Sequence, residues 1–152
     1  MRVEGGSLIP TDHVTDSLLT RFQSVEALET FSVAGRAYVV AGGGDDGLSL
    51  FELLPDGRLI AITTLADTAA MALANVAAIE AVAVGGVVQV FVSSGNDDGI
   101  TQFDFVPGAA GLTLAGTIGA DTLTGSAADD IVMGGRGDDL MVGSGGADIL
   151  VD

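Results

Sequence analysis

Gly116 to Asp152 reads GTIGADTLT, GSAADDIVM, GGRGDDLMV, GSGGADILV and a final Asp152 when it is cut every nine residues. Column 1 is glycine in all copies (Gly116, Gly125, Gly134, Gly143), and column 6 is aspartate (Asp121, Asp130, Asp139, Asp148). Column 8 is apolar (Leu123, Val132, Met141, Leu150). Column 4 is Gly119, Gly137 and Gly146, with Ala128 in the second copy; column 2 is Gly135 in the third copy and Thr117, Ser126 or Ser144 elsewhere. Glycine and aspartate also mark flexible linkers. A linker, however, has no reason to repeat an apolar residue at a fixed interval.

The spacing has a chemical reading. GGxGxD makes a tight turn in which glycine, lacking Cβ and tolerant of positive φ, lets backbone carbonyls converge on one point. The aspartate adds a carboxylate there, and a hard cation such as Ca²⁺ takes six to eight oxygens from such mixed sources. The last three residues of each copy make a short strand whose middle side chain points inward. The third copy fits GGxGxDxUx, the nonapeptide of calcium-binding parallel β-helices, at every fixed column.

On these residues, 116–152 resembles the RTX (hemolysin-type) calcium-binding repeat family. The resemblance implies a short C-terminal parallel β-roll in which two nonapeptides make one coil and Ca²⁺ sits between a loop and the loop two repeats later. Carried onto this chain, it pairs Asp121 with Asp139 and Asp130 with Asp148. Carbonyls would come from the turns that begin at Gly116, Gly125, Gly134 and Gly143 and include Gly119, Gly135, Gly137 and Gly146. Four inward side chains bury too little apolar surface to offset the ordering of 37 residues. Calcium binding and folding are therefore expected to be coupled.

Upstream lies a longer repeat. SVEALETFSVAG (24–35) matches NVAAIEAVAVGG (75–86) at an offset of 51, and GDDGLSLFEL (44–53) matches NDDGITQFDF (96–105) at an offset of 52. Each unit reads as four short strands. We place them at 25–33, 36–42, 47–53 and 58–64, and again at 76–84, 87–93, 99–105 and 111–116. Ala34-Gly35 and Pro55-Asp56-Gly57 are hairpin signals. The alanine-rich run 65–78 has no helical stripe in its counterpart 15–27, so it is not read as a helix. A period near about 50 points to propellers or arrays, and the unit resembles the blades of bacterial lactonase-type propellers.

The expected architecture is thus all-β: two four-stranded antiparallel blade-like sheets followed by a parallel β-roll. Residues 1–15 form a weakly ordered lead-in, 16–66 and 67–115 the two blades, and 116–152 the roll. Two blades cannot close a propeller, so further blades or a partner chain pairing with open sheet edges are expected.

The net charge is −16, with five arginines and no lysine. Such a surface argues against nucleic acid and anionic membranes. No apolar run is long enough to span a bilayer, so no membrane insertion is expected. There is no cysteine, which excludes disulfides and thiolate metal sites. The resemblance implies an extracellular protein exported by type I secretion, consistent with an N-terminus that lacks a signal-peptide core. Because the chain stops directly after the last repeat, a truncated gene or a fragment is expected.

Enzymatic signals are weak. The sole histidine, His13, lies in the lead-in, which leaves no Ser-His-Asp set. Gly42-Gly43-Gly44 is followed by no lysine and is not a phosphate loop. The repeated loops Asp45-Asp46-Gly47 and Asp97-Asp98-Gly99 read as turn chemistry in preference to extra calcium loops. We expect a non-enzymatic calcium-binding protein with no catalytic residues. The alternatives are a fragment of a secreted propeller-type hydrolase and an extracellular adhesive or surface component.

Overall fold

The computed structural model describes residues 2–4 and 6–152 and contains β-strands without a helix. The chain divides into two compact units, Met1–Val106 and Pro107–Asp152.

In the first unit, β1 (Arg2–Glu4) and β2 (Ser7–Ile9) pair as an antiparallel hairpin. The following residues are tethered. Thr11 Oγ1 donates to Gly57 O at 3.2 Å, the Asp12 carboxylate accepts the Leu59 amide at 2.8 Å, and Val14 packs against Phe22 and Phe51. The lead-in is thus more structured than expected, because its anchors are contacts more than forty residues away that carry no local signal. His13 is exposed.

The first repeat is a four-stranded antiparallel meander: β3 (Ala27–Val33), β4 (Arg36–Gly42), β5 (Gly47–Leu53) and β6 (Leu59–Ala66). Ala34 and Gly35 both take positive φ, 53° and 78°, so the two-residue turn matches the twist of the strands it joins. The second repeat forms only β7 (Val76–Val84), β8 (Val87–Ser94) and β9 (Ile100–Phe105). The run 65–78 passes from strand through turns to strand, with no helix.

The expectation of a second four-stranded sheet is therefore corrected. The segment placed at 111–116 forms β10 (Ala110–Ala115), which pairs in parallel with β12 (Asp129–Met133) and not with β9. Its alternation serves either partner, and the choice rests on a residue far along the chain: the amide of Leu112 donates to the carboxylate of Asp130. Between β6 and β9 an apolar cavity of about 330 Å³ remains, lined by Leu48, Leu50, Leu65, Phe103 and Phe105 among others.

Alternation along β3, β4, β7 and β8 places Phe31, Tyr38, Val40, Ile79, Val88 and Val90 in one core shared by the two antiparallel sheets. Phe105 meets both Phe31 and Tyr38, at centroid separations of 5.8 and 4.9 Å.

In the second unit the strands alternate between two parallel sheets. One is β10, β12 and β14 (Ile149–Val151); the other is β11 (Thr122–Thr124) and β13 (Leu140–Val142). Leu123 lies opposite Met141 and Val132 opposite Leu150, each pair eighteen residues apart. The expected three-residue strands therefore form, and strands two repeats apart pair. Of the apolar column, Val132 is fully buried, Leu123 and Met141 are half-buried, and Leu150, on an edge strand, is exposed.

Candidate metal centre

The four loops of the second unit stack two by two. Arg136 N donates to Thr117 O at 3.1 Å, and Gly145 N to Ser126 O at 3.1 Å, so the third loop lies on the first and the fourth on the second. Asp139 Oδ1 accepts the Asp121 amide at 2.8 Å, and Asp148 Oδ1 accepts the Asp130 amide at 3.0 Å. The structure thus brings together Asp121 with Asp139, and Asp130 with Asp148. The link in each case is carboxylate to backbone amide.

The loops are of two kinds. In the first two, the column-2 hydroxyl residue closes on its own aspartate. Thr117 donates to Asp121 Oδ2 from N at 2.6 Å and from Oγ1 at 2.9 Å. Ser126 donates to Asp130 Oδ2 from N at 2.6 Å and to Oδ1 from Oγ at 3.0 Å. With the Leu112 amide added, Asp130 is fully buried and well bonded. At sequence level Thr117 and Ser126 read as departures from glycine; here their hydroxyls cap the carboxylates.

The third and fourth loops turn through left-handed backbone at columns 2 and 4: Gly135 at φ +98°, Gly137 at +126°, Ser144 at +83° and Gly146 at +96°. Ala128 is not among the positive-φ residues, so the strained non-glycine position of the repeats is Ser144. Ser144 Oγ donates to Gly125 O at 3.3 Å, away from Asp148. Gly135 carries no hydroxyl for Asp139, and Asp139 Oδ2 is buried with no hydrogen-bond partner.

The column-1 glycines make room for these carboxylates. A Cβ at Gly143 would sit 2.1 Å from Asp148 Oδ2, one at Gly125 2.4 Å from Asp130 Oδ2, and one at Gly134 2.7 Å from Asp139 Oδ2. A Cβ at Gly116 would meet Gly134 O at 2.0 Å. By contrast, Gly119 has nothing within 4 Å of the same position. Two aspartates outside the expected set also approach these loops. Asp129 Oδ1 accepts the Ala147 amide at 2.8 Å, and Asp152 Oδ1 lies 3.2 Å from where a Gly134 Cβ would be.

Among the described residues no three His, Cys, Asp or Glu side chains gather in a metal-sized cluster. The available donors are one or two carboxylates and several backbone carbonyls, a hard all-oxygen set that fits Ca²⁺ and not a thiophilic metal. The uncompensated Asp139 Oδ2 is the observation that such a cation would satisfy.

The Asp-Asp-Gly loops of the first unit do something else. Asp45 Oδ1 accepts the Gln23 amide at 3.1 Å, and Asp97 Oδ2 accepts the Ala74 amide at 3.0 Å. Ser49 and Thr101 hydroxyls accept the amides of Arg21 and Ala72 at 2.7 and 2.8 Å, and Asp16 and Asp67 accept those of Phe22 and Leu73 at 3.3 and 3.0 Å. Each repeat therefore binds three successive amides with three side chains. The Asp45 carboxyl is pushed above its ordinary value by burial and by the nearby Asp16 charge. Buried Glu52 is paired with Arg36 at 3.1 Å.

Residues 115–150 match the model of the RTX calcium-binding nonapeptide repeat, in four copies. RTX nonapeptide repeats bind Ca²⁺, and they are typical of secreted proteins. No curated protein and no solved structure matches the chain.

Proposed function

We propose that the second unit is a calcium-folded β-roll and that the chain works outside the cell as a calcium-binding module, without catalysis. The observation that carries this reading is Asp139: one carboxylate oxygen stitches the third loop to the first, and the other is buried with no hydrogen-bond partner. Ca²⁺ at that oxygen would be completed by carbonyls of the turns that begin at Gly116 and Gly134, with Asp121 as the second carboxylate. A second site would use Asp148 with Asp130 and the turns from Gly125 and Gly143. Asp121 is capped by Thr117 as Asp130 is by Ser126, and what makes the first site the stronger is the unpartnered Asp139 Oδ2, which has no buried counterpart at Asp148 among the described residues.

Extracellular calcium modules bind with Kd on the order of 10⁻⁴–10⁻³ M. An affinity in that class leaves the tail open in calcium-poor cytoplasm and closes it after export. This ordering supports type I secretion, in which an unfolded tail is the easier cargo. The acidic surface supports the same reading, because clustered carboxylates repel until a cation neutralises them.

The test is a calcium titration of the full chain followed by far-UV circular dichroism. A saturable gain in β signal at submillimolar to millimolar calcium is expected, reversed by a chelator and not reproduced by equal ionic strength of a monovalent salt. A spectrum indifferent to calcium would overturn the reading.

A further inference from the structure

The first unit holds two repeats joined back to front. The joined face of the first repeat carries Phe31, Val33, Leu48 and Leu50; that of the second carries Leu73, Val76, Ile79 and Val88, and all are buried in one cluster. The strands that meet, β3 and β7, are repeat equivalents but use opposite faces, since Phe31 and Val33 are buried where Val82 and Val84 are exposed and Ile79 is buried where Leu28 is exposed, so the interface is heterologous. Each repeat has a front and a back, and one of each is left at the two ends of the pair.

The remaining front belongs to the first repeat, where Val14 already packs against Phe22 and Phe51 and the open part is the edge that carries Val25 and Leu28. Val25 is the equivalent of Val76, and it is 50% exposed where Val76 is 0%. Leu28, the equivalent of buried Ile79, is likewise exposed. The remaining back belongs to the second repeat. Ile100 is 74% exposed where its equivalent Leu48 is 4%. Val82 and Val84, equivalents of buried Phe31 and Val33, are also exposed.

The polar part of the contact follows the same rule. Between the repeats, Asp46 Oδ1 accepts the Asn75 amide at 2.9 Å, and Gly43 O accepts the Val76 amide at 3.1 Å. The equivalents of the first pair are the Asp98 carboxylate and the Ser24 amide, which make no hydrogen bond among the described residues.

We propose that a second copy of this chain docks head to tail through these ends. Val25, Leu28 and the Ser24 amide of one copy meet Val82, Val84, Ile100 and the Asp98 carboxylate of the other, in the geometry of the internal contact. The occupant is argued from continuity: the chain itself supplies both halves of an interface it already uses once. Two copies bring four large antiparallel-repeat sheets, the number at which propeller rings begin to close. A heterologous contact that closes gives a ring, and one that does not gives a chain of copies.

The experiment is sedimentation velocity of the full chain over a concentration series, with calcium and with chelator. The parent is expected to reach at least double the monomer mass in both. Leu28→Asp and Ile100→Asp change side chains exposed in the single chain, so circular dichroism and the thermal midpoint should match the parent. Each variant alone is expected to stay monomeric. Their equimolar mixture should recover a dimer and nothing larger, because it retains one intact front and one intact back. A parent that is monomeric throughout overturns the proposal. So does association that survives both variants, association that requires calcium, or a mixture that fails to recover.

Discussion

Asp139 accepts the Asp121 amide through Oδ1 at 2.8 Å while its Oδ2 is buried without a partner. Half of one carboxylate holds two loops together, and the other half is desolvated without compensation. Asp139→Asn keeps the Oδ1 acceptor and removes the charge. In chelator the variant should be as stable as the parent or more so. At calcium ten times Kd the parent should gain about 1.4 kcal/mol that the variant lacks. Urea unfolding in the two conditions reads this reversal of sign.

Asp130 is the contrasting case. It is fully buried and accepts from Leu112 N, Ser126 N and Ser126 Oγ. Each bond to a charged group contributes about 1.5–3 kcal/mol. Asp130→Ala should therefore destabilise the calcium-closed second unit by at least that much, and it should raise the calcium concentration at which the β signal appears. A variant that closes at the parent's calcium concentration and unfolds at the parent's urea midpoint would contradict the structural role assigned here.

The column-4 glycines should differ in tolerance. Gly137 sits at φ +126°, and a Cβ there would lie 2.7 Å from the Gly119 carbonyl carbon. Gly137→Ala should cost about 1–3 kcal/mol. Gly119→Ala meets nothing within 4 Å and should be nearly silent, as Ala128 already is in the second copy. Thermal midpoints of the two variants make the comparison.

Asp46 and Asp98 occupy equivalent loop positions with unequal duties. Asp46 caps the Asn75 amide in a solvent-exposed contact, so Asp46→Ala should cost about 0.5–1.5 kcal/mol. Asp98→Ala should fall within about 0.5 kcal/mol of the parent at concentrations where the chain is monomeric. Chemical denaturation at low protein concentration separates them.

Asp45 sets one acid-range expectation. Its folded pKa lies above the ordinary 3.8, so the carboxyl favours folding most below 3.8 and that contribution is lost as pH rises through the raised value. Asp45→Asn retains an acceptor for the Gln23 amide and removes the charge. At neutral pH it should be at least as stable as the parent, and the difference should vanish below 3.8. A variant less stable at neutral pH would show that the carboxylate charge itself holds Gln23.

The tail was legible because each column of the nonapeptide does one job that only one residue type performs. Column-1 glycine clears space for a carboxylate, column-6 aspartate reaches the loop two repeats back, and columns 7 to 9 make the strand. The difference between loop kinds was not legible, since Thr117 and Ser126 look like lapses from glycine until their hydroxyls are seen on Asp121 and Asp130. The strands β3 to β9 fell within two residues of their expected bounds at every end, because alternation and paired turns mark them locally. The segment β10 did not follow its repeat equivalent. Its apolar alternation fits an antiparallel or a parallel neighbour equally, and the deciding partner, Asp130, is eighteen residues away.

The ladders that join β11 to β13 and β12 to β14 step by eighteen residues at each rung, from Leu123 to Met141 and from Val132 to Leu150. The loop that must close to add a strand is therefore the same length at each step, so its entropic cost does not grow as the stack lengthens. Contact order stays low however many copies are appended. A tail built this way can be extended or shortened by whole coils with a nearly constant increment in stability and little change in the speed of each closure. Copy number then becomes a dial that evolution or an engineer can turn without redesigning any single loop.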